Sequence, residues 1–281
     1  MNPRHPIGIF DSGYGGLTVF RSIYALMPEY DYLYLGDNAR APYGNRSFET
    51  IHQYTRQSVA WLFDQGCPLV ILACNTASAR ALRMIQQKDL PQINPNNRVL
   101  GVIRPTTEII GKYSHTRHVG ILGTKGTVSS KTYPIEIQKF FPDLTVHQLA
   151  CPIWVPLVEH FEYDNAGTDF FVQKYINLLL EQAPDIDVIL LACTHYPLLI
   201  QSIRKYLPNH ITLLSQGEIV AQALQDYLTR HPAMQSRLST NGNVQFFSTD
   251  DAEDFNLHAS HFFGSTVQAT YLPLEQLTKM S

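Results

Sequence analysis

Apolar residues fall along this chain in two alternating textures. Some form short unbroken runs rich in β-branched residues, which predict buried strands of a parallel sheet. Others recur every three or four positions, which predicts amphipathic helices. Ile7–Phe10 is the first run, followed by the glycine-rich turn Asp11-Ser12-Gly13-Tyr14-Gly15-Gly16. Leu17 to Met27 then predicts a helix, with Pro28 just past its end. Tyr32–Gly36 predicts a second strand. Ser47 is placed to cap the next helix, with Glu49 in the first turn, where the helix dipole favours an acid. Ile51, Tyr54, Ser58, Trp61 and Leu62 line one face of that helix, and Gly66 ends it. The next run starts at Leu69 and stops at Cys74.

A similar order restarts after the proline- and asparagine-rich connection from Leu90 to Arg98. Val99–Ile103 and Val119–Leu122 read as strands, and Gly123-Thr124-Lys125-Gly126-Thr127 as a second small, polar turn. Phe170, Phe171, Tyr175, Leu178 and Leu179 mark a helix, and Asp185-Ile186-Asp187 leads into a strand that stops at Cys193. Strands alternating with helices predict an α/β class with parallel sheets. The restart predicts two similar lobes whose strand tips face one cleft.

One phrase therefore occurs twice: Val70-Ile71-Leu72-Ala73-Cys74-Asn75-Thr76, and Val188-Ile189-Leu190-Leu191-Ala192-Cys193-Thr194-His195. Each copy delivers a thiol, then small polar residues, to the carboxyl end of a strand, where open α/β sheets bind ligands. Two thiols in one cleft suit the inversion of a carbon centre, which needs one acid/base group on each face. An unperturbed thiol is only a few per cent thiolate near neutral pH, so it needs a helix N-terminus, a cation or a proton acceptor beside it. His195 is placed to relay a proton at Cys193, and Asp11 to reach Cys74 from the first strand. Asn75, Thr76 and Thr194 offer amide and hydroxyl groups that suit carboxylates. Taken singly these residues have plainer readings. A cysteine on an apolar strand is most often inert core, as Cys67 is read; Asp11 in a turn is most often a helix cap; Glu159, after Cys151-Pro152 and an apolar run, is equally well a solvated acid.

Charge and composition exclude more than they assign. A net charge of −3 with no basic tract argues against nucleic acid. No apolar stretch has the length of a membrane span, and Met1 to Pro6 lacks the apolar core of a secretory signal, so a soluble cytoplasmic protein is expected. Four cysteines without a Cys-x-x-Cys make neither a disulfide scaffold nor a recognisable zinc site. Gly13-Tyr14-Gly15-Gly16 is not a dinucleotide fingerprint, and no P-loop lysine follows it.

The combined motifs resemble the glutamate racemases, within the aspartate/glutamate racemase superfamily, over nearly the whole chain. The resemblance rests on the segments Gly8–Thr18, Gly36–Gly44, Ala73–Ala77, Gly120–Thr124, Ala150–Pro152, Pro156–Glu159 and Ala192–Leu198, in that order. It implies a two-base racemase that needs no cofactor and no metal. Cys74 takes the α-proton from one enantiomer and Cys193 reprotonates the opposite face, with the roles exchanged in reverse. It implies Asp11 as the supporting group of Cys74, and Glu159 and His195 as those of Cys193. It implies substrate contacts at Asp11, Ser12, Pro42, Tyr43, Gly44, Asn75, Thr76, Thr124, Thr194 and His195. It further implies a homodimer supplying D-glutamate for peptidoglycan, and an inserted second lobe: residues 1–99 with 210–281 in the first, 100–209 in the second. Asn38 and Ser215-Gln216-Gly217 depart from the usual family residues, outside the cysteine motifs. The first motif starts almost at the N-terminus, so activation by a muropeptide precursor is not expected. Alternatives are a racemase of aspartate or a hydantoin, a binding or regulatory protein on the same scaffold, and a redox-sensing dithiol with Cys74 and Cys193 within disulfide reach.

Overall fold

A computed structural model describes residues 5–278. In chain order its strands are β1 (Ile7–Asp11), β2 (Tyr32–Gly36), β3 (Leu69–Leu72), β4 (Arg98–Gly101), β5 (His118–Gly123), β6 (Thr145–Ala150), β7 (Val188–Ala192), β8 (Thr212–Leu214), β9 (Val244–Ser248) and β10 (Ala269–Tyr271). They form two sheets with the orders β10-β9-β2-β1-β3-β4 and β6-β5-β7-β8, and every pairing is parallel. The fold is thus α/β with two lobes, as the alternation of runs and helical faces predicts.

The repeat is topological. In the first sheet β3 lies between β1 and β4; in the second β7 lies between β5 and β8. Each cysteine strand therefore sits beside the first strand of its own lobe, with the same polarity. Strands β1, β3 and β7 are buried along their whole length, because helices cover both faces of a parallel sheet. One apolar cluster runs from Ile9, Phe20 and Tyr34 beside the first sheet to Leu122, Leu191 and Leu199 in the second lobe. Each such side chain contributes about 1.5–3 kcal/mol by leaving water.

Most element ends follow the sequence signals. The first helix is Leu17–Leu26, and Ser47 caps the helix Phe48–Asp64 by accepting from the Thr50 N–H at 3.2 Å. Two segments differ. The strand expected over Val99–Ile103 stops at Gly101, and Ile103–Thr107 is a short helix. Pro105 is compatible with that helix, because N–H groups of a first turn have no intrahelical partner. The second difference is β8, which pairs with β7 in the smaller sheet although it lies past residue 210, where the return to the first lobe is expected. The Thr212 N–H donates to Asp187 O at 2.8 Å and holds it there.

Candidate active site

The β3 ladder ends where the Ala73 N–H donates to Phe10 O at 2.8 Å. The chain then turns into the helix Asn75–Arg80 with Cys74 as its N-cap, and the Cys74 Sγ accepts from the Ala77 N–H at 3.4 Å. Ser12 Oγ lies 3.4 Å from the same sulfur. In the other lobe Cys193 follows β7, and the Tyr196 N–H donates to its carbonyl at 3.2 Å to start the turn Tyr196–Leu199. All four cysteines are free thiols. Cys74 and Cys193, each 5% exposed, line one cavity of about 90 Å³. The doubled phrase thus brings one thiol from each sheet to one space.

The surroundings of the two sulfurs carry opposite charge. His195 Nδ1 is 3.9 Å from Cys193 Sγ, and His195 Nε2 is 3.0 Å from Glu159 Oε1. Burial alone would lower the His195 pKa, but its hydrogen bonds to Cys193 and Glu159 outweigh this and raise it to about 10. Burial likewise works to raise the Glu159 carboxyl, while the His195 hydrogen bond and nearby histidine charge hold it below the usual range. At neutral pH the pair is therefore imidazolium and carboxylate.

Cys74 has a carboxyl neighbour instead. Asp11 ends β1 and is fully buried; its Oδ2 accepts from the Gly13 N–H at 2.9 Å, and its Oδ1 has no hydrogen-bond partner. Burial raises the Asp11 carboxyl above its ordinary range, and the charge on His195 opposes that rise. Burial and the negative charge of Asp11 push the Cys74 thiol up to about 12. Asp11 acts on the site through this field, since it does not itself line the cavity.

The other expected site residues, Ser12, Pro42, Tyr43, Gly44, Asn75, Thr76, Thr124, Thr194, Glu159 and His195, all line the cavity. Several have side chains already committed. The Tyr43 hydroxyl donates to Asp37, which also accepts from Arg40 Nε at 2.7 Å and from Thr249 Oγ1 at 2.9 Å. That buried knot fixes the loop Pro42–Gly44 and leaves its backbone to meet a ligand. Asn75 Oδ1 accepts from the Tyr133 hydroxyl at 2.6 Å, and Asn75 Nδ2 donates to Gln216 Oε1 at 2.6 Å.

Contacts across the cleft close the site. Thr76 Oγ1 and Thr124 Oγ1 are 2.9 Å apart, and Thr18 Oγ1 donates to Thr194 O at 2.8 Å. Gly15 has to be glycine: a Cβ there would lie 2.3 Å from Thr194 Oγ1 and 2.4 Å from His195 Nδ1. Among the lining residues that the sequence reading leaves out are Lys125, Cys151, Pro152, Val155 and Pro156. Lys125 had a signal, as the one cation in the polar turn after β5; the others lie in an apolar run that reads as core. Among the described residues, no group of three or more His, Cys, Asp or Glu side chains is arranged to hold a metal. No helix among them is long and apolar enough to cross a membrane.

The sequence profile of Asp/Glu/Hydantoin racemases matches residues 16–224. The chain belongs to this family. This racemase is 37% identical over 272 residues to the glutamate racemase of Persephonella marina, covering 96% of this chain and 98% of that one. Its structure is similar to that of a glutamate racemase from Bacillus anthracis, with a TM-score of 0.86 and 32% identity over 97% of this chain and 99% of the other. It is equally similar, with a TM-score of 0.86, 28% identity and coverage of 97% and 99%, to the Francisella tularensis glutamate racemase solved in complex with D-glutamate. Like its relatives, this racemase is an isomerase of amino acids.

Proposed function

We propose that this racemase interconverts L- and D-glutamate through Cys74 and Cys193 as paired acid and base, with no cofactor. One observation carries the reading: the two thiols follow equivalent strands of two sheets and line the same cavity. A carbon held between them loses its α-proton to one sulfur and gains one from the other on the opposite face. The fields on the sulfurs suit this division. Burial and the negative charge of Asp11 keep the proton on Cys74, ready to be given, while the positive charge of His195 faces Cys193, ready to compensate a negative sulfur. In the reverse direction the roles exchange. The α-proton of an amino acid is a very weak acid, so the carbanion-like transition state needs fixed donors in a site that excludes water. The backbone N–H groups at the start of the helix Asn75–Arg80, with the hydroxyls of Ser12, Thr76 and Thr194, are the donors at hand. The same groups suit the two carboxylates of glutamate.

The same reading makes the chain a cytoplasmic homodimer that supplies D-glutamate for peptidoglycan, with the second lobe inserted into the first. The test is purified protein with L-glutamate in D₂O and no added cofactor, followed by circular dichroism and proton NMR. Loss of optical activity with deuterium entering at Cα is the expected result. Activity on aspartate but not on glutamate would move the chain to a sister substrate, and silence with both would overturn the reading.

A further inference from the structure

The helix Trp154–Glu159 ends in an unusual way. The Phe161 N–H donates to Val158 O at 3.1 Å and the Glu162 N–H to Leu157 O at 2.8 Å, the two bonds of a Schellman C-cap. That cap needs a left-handed residue, normally glycine, yet here it is Phe161 with φ +58°. A bulky side chain at positive φ is strained, and such strain persists where the surroundings hold it for a use.

The use lies across the cleft. The Phe161 ring stacks on His258, with centroids 4.7 Å apart. His258 belongs to the helix Ala252–Phe263, which packs beside β9 and β10 of the larger sheet. Its Nε2 donates to the backbone oxygen of Glu159 at 3.0 Å, while Nδ1 lies 2.9 Å from Asp254 O. The other face of the imidazole stacks on Tyr14, at 4.7 Å, and the Tyr14 hydroxyl donates to Asp254 Oδ2 at 2.8 Å. Phe262, on the same helix, meets the His195 ring edge to face at 5.3 Å. One helix of the first lobe thus grips both the residue that carries the Glu159 carboxylate and the imidazole that this carboxylate orients.

We infer that Phe161 and His258 are positioning residues, a latch between the lobes that sets Glu159 on His195 and so tunes Cys193 more than Cys74. The inference rests on the two-thiol reading, and its asymmetry is what makes it testable. Cys74 takes its field from burial and from Asp11 in the first lobe, which feels the latch only at second hand, through the charges of His195 and Glu159. A latch therefore changes Cys193 most, whereas a general loosening of the fold changes both thiols alike.

The experiment compares the wild-type enzyme with Phe161→Gly, His258→Leu and His258→Gln. Iodoacetamide alkylation of Cys193 and Cys74 is followed separately by mass spectrometry from about pH 6 to about pH 10, the range over which thiolate content governs the rate. Racemisation of glutamate is measured on the same samples. Phe161→Gly removes the ring while relieving the backbone, so it folds and melts no lower than the wild type. It is expected to displace the pH profile of Cys193 alkylation clearly further than that of Cys74, and to lower kcat about tenfold to a hundredfold with KM little changed, the scale of a misplacement of about 1 Å. His258→Leu gives the same pattern, and His258→Gln recovers part of it, because its amide still donates to Glu159 O. Both profiles unchanged, or that of Cys74 displaced as far as that of Cys193, would overturn the latch. A wild-type enzyme that leaves glutamate unracemised, or a Cys193→Ser variant that racemises normally, would instead overturn the two-thiol reading, while the Cys193 profile would still decide whether Phe161 and His258 act on this thiol.

Discussion

Glu159 Oε1 lies 3.0 Å from His195 Nε2, on the side of the imidazole away from Cys193. Together with the hydrogen bond to Cys193, the carboxylate keeps His195 charged well above the pH at which a free histidine loses its proton. Replacing Glu159 by Gln keeps a hydrogen-bonding group but removes the charge. The pKa of His195 then falls from about 10 towards the ordinary range, and kcat falls about a hundredfold or more, the usual weight of a positioned acid/base group. Stability carries the same signature. A histidine whose folded pKa is raised stabilises fully below its unfolded value near 6.5, and this contribution is lost as pH rises towards about 10. The melting temperature of the wild type should decline over that window, and Glu159→Gln should flatten the decline. Calorimetry across the window checks it; parallel declines in the two proteins would contradict the charge assignment.

Each thiol serves one face of the substrate, so single substitutions should separate the halves of the reaction. Cys74→Ser and Cys193→Ser are each expected to abolish racemisation, since serine at an unperturbed pKa is a poor base. Proton exchange on one enantiomer should survive in each variant, and the surviving enantiomer should differ between them. The readout is deuterium incorporation at Cα of L- and D-glutamate, incubated separately. Full racemisation by both variants would remove the sulfurs from the mechanism.

Asp11 sets function against stability. Its carboxyl is buried with one oxygen unpartnered, so ionisation in the folded state is penalised. An acid whose folded pKa is raised destabilises above its unfolded value, and the penalty fades as pH falls below that value. Asp11→Asn should therefore raise stability by about 1–2 kcal/mol at neutral pH, with the gain shrinking below about pH 4. The same change removes the negative charge beside Cys74, so racemisation should fall at least about tenfold. Urea unfolding at two pH values, with racemisation rates on the same samples, tests both arms. A less stable Asn variant at neutral pH would show that the carboxylate is better accommodated than its free oxygen implies.

What the chain reveals before folding follows from the range of each interaction. The strand that ends at Cys74 and the one that ends at Cys193 are local events: an apolar run stops, and small polar residues begin. The cap at Ser47 is local too, as is the glycine turn that lets Gly15 approach His195. By contrast, no local pattern distinguishes Phe161 from an ordinary surface aromatic, because its meaning comes from His258 in the other lobe. The Thr76–Thr124 hydrogen bond and the role of Asp37 behind Tyr43 are equally tertiary. Ile103 reads as the end of a strand because apolar periodicity cannot separate a last strand residue from the first buried residue of a helix. The strand β8 is short and half exposed, so its membership of the smaller sheet is fixed by pairing with β7 and not by its own composition.

Gln216 shows how far such a tertiary role extends. In the sequence it stands in the string Ser215-Gln216-Gly217, a departure outside the cysteine motifs. In the fold it is 3% exposed and joins three segments. Its Oε1 accepts from Asn75 Nδ2 at 2.6 Å, and its Nε2 lies 3.0 Å from Val102 O, 3.1 Å from Thr106 Oγ1 and 2.9 Å from the Tyr133 hydroxyl. Asn75 follows Cys74 directly, so the amide that fixes this residue also fixes the helix start behind the sulfur. Gln216→Met keeps the volume and removes every polar atom of the side chain, stranding Asn75 Nδ2, while Val102 O keeps the Thr106 hydroxyl at 3.3 Å. A buried group left without a partner costs about 1–3 kcal/mol, so unfolding free energy should drop by about that amount. The rate should fall as well, and both directions of racemisation should slow together, since Asn75 lines the cavity that both thiols share. Denaturant titration and initial rates from each enantiomer give the answer. A Met variant as stable and as fast as the wild type would mean that the network is filled by polar groups it does not need.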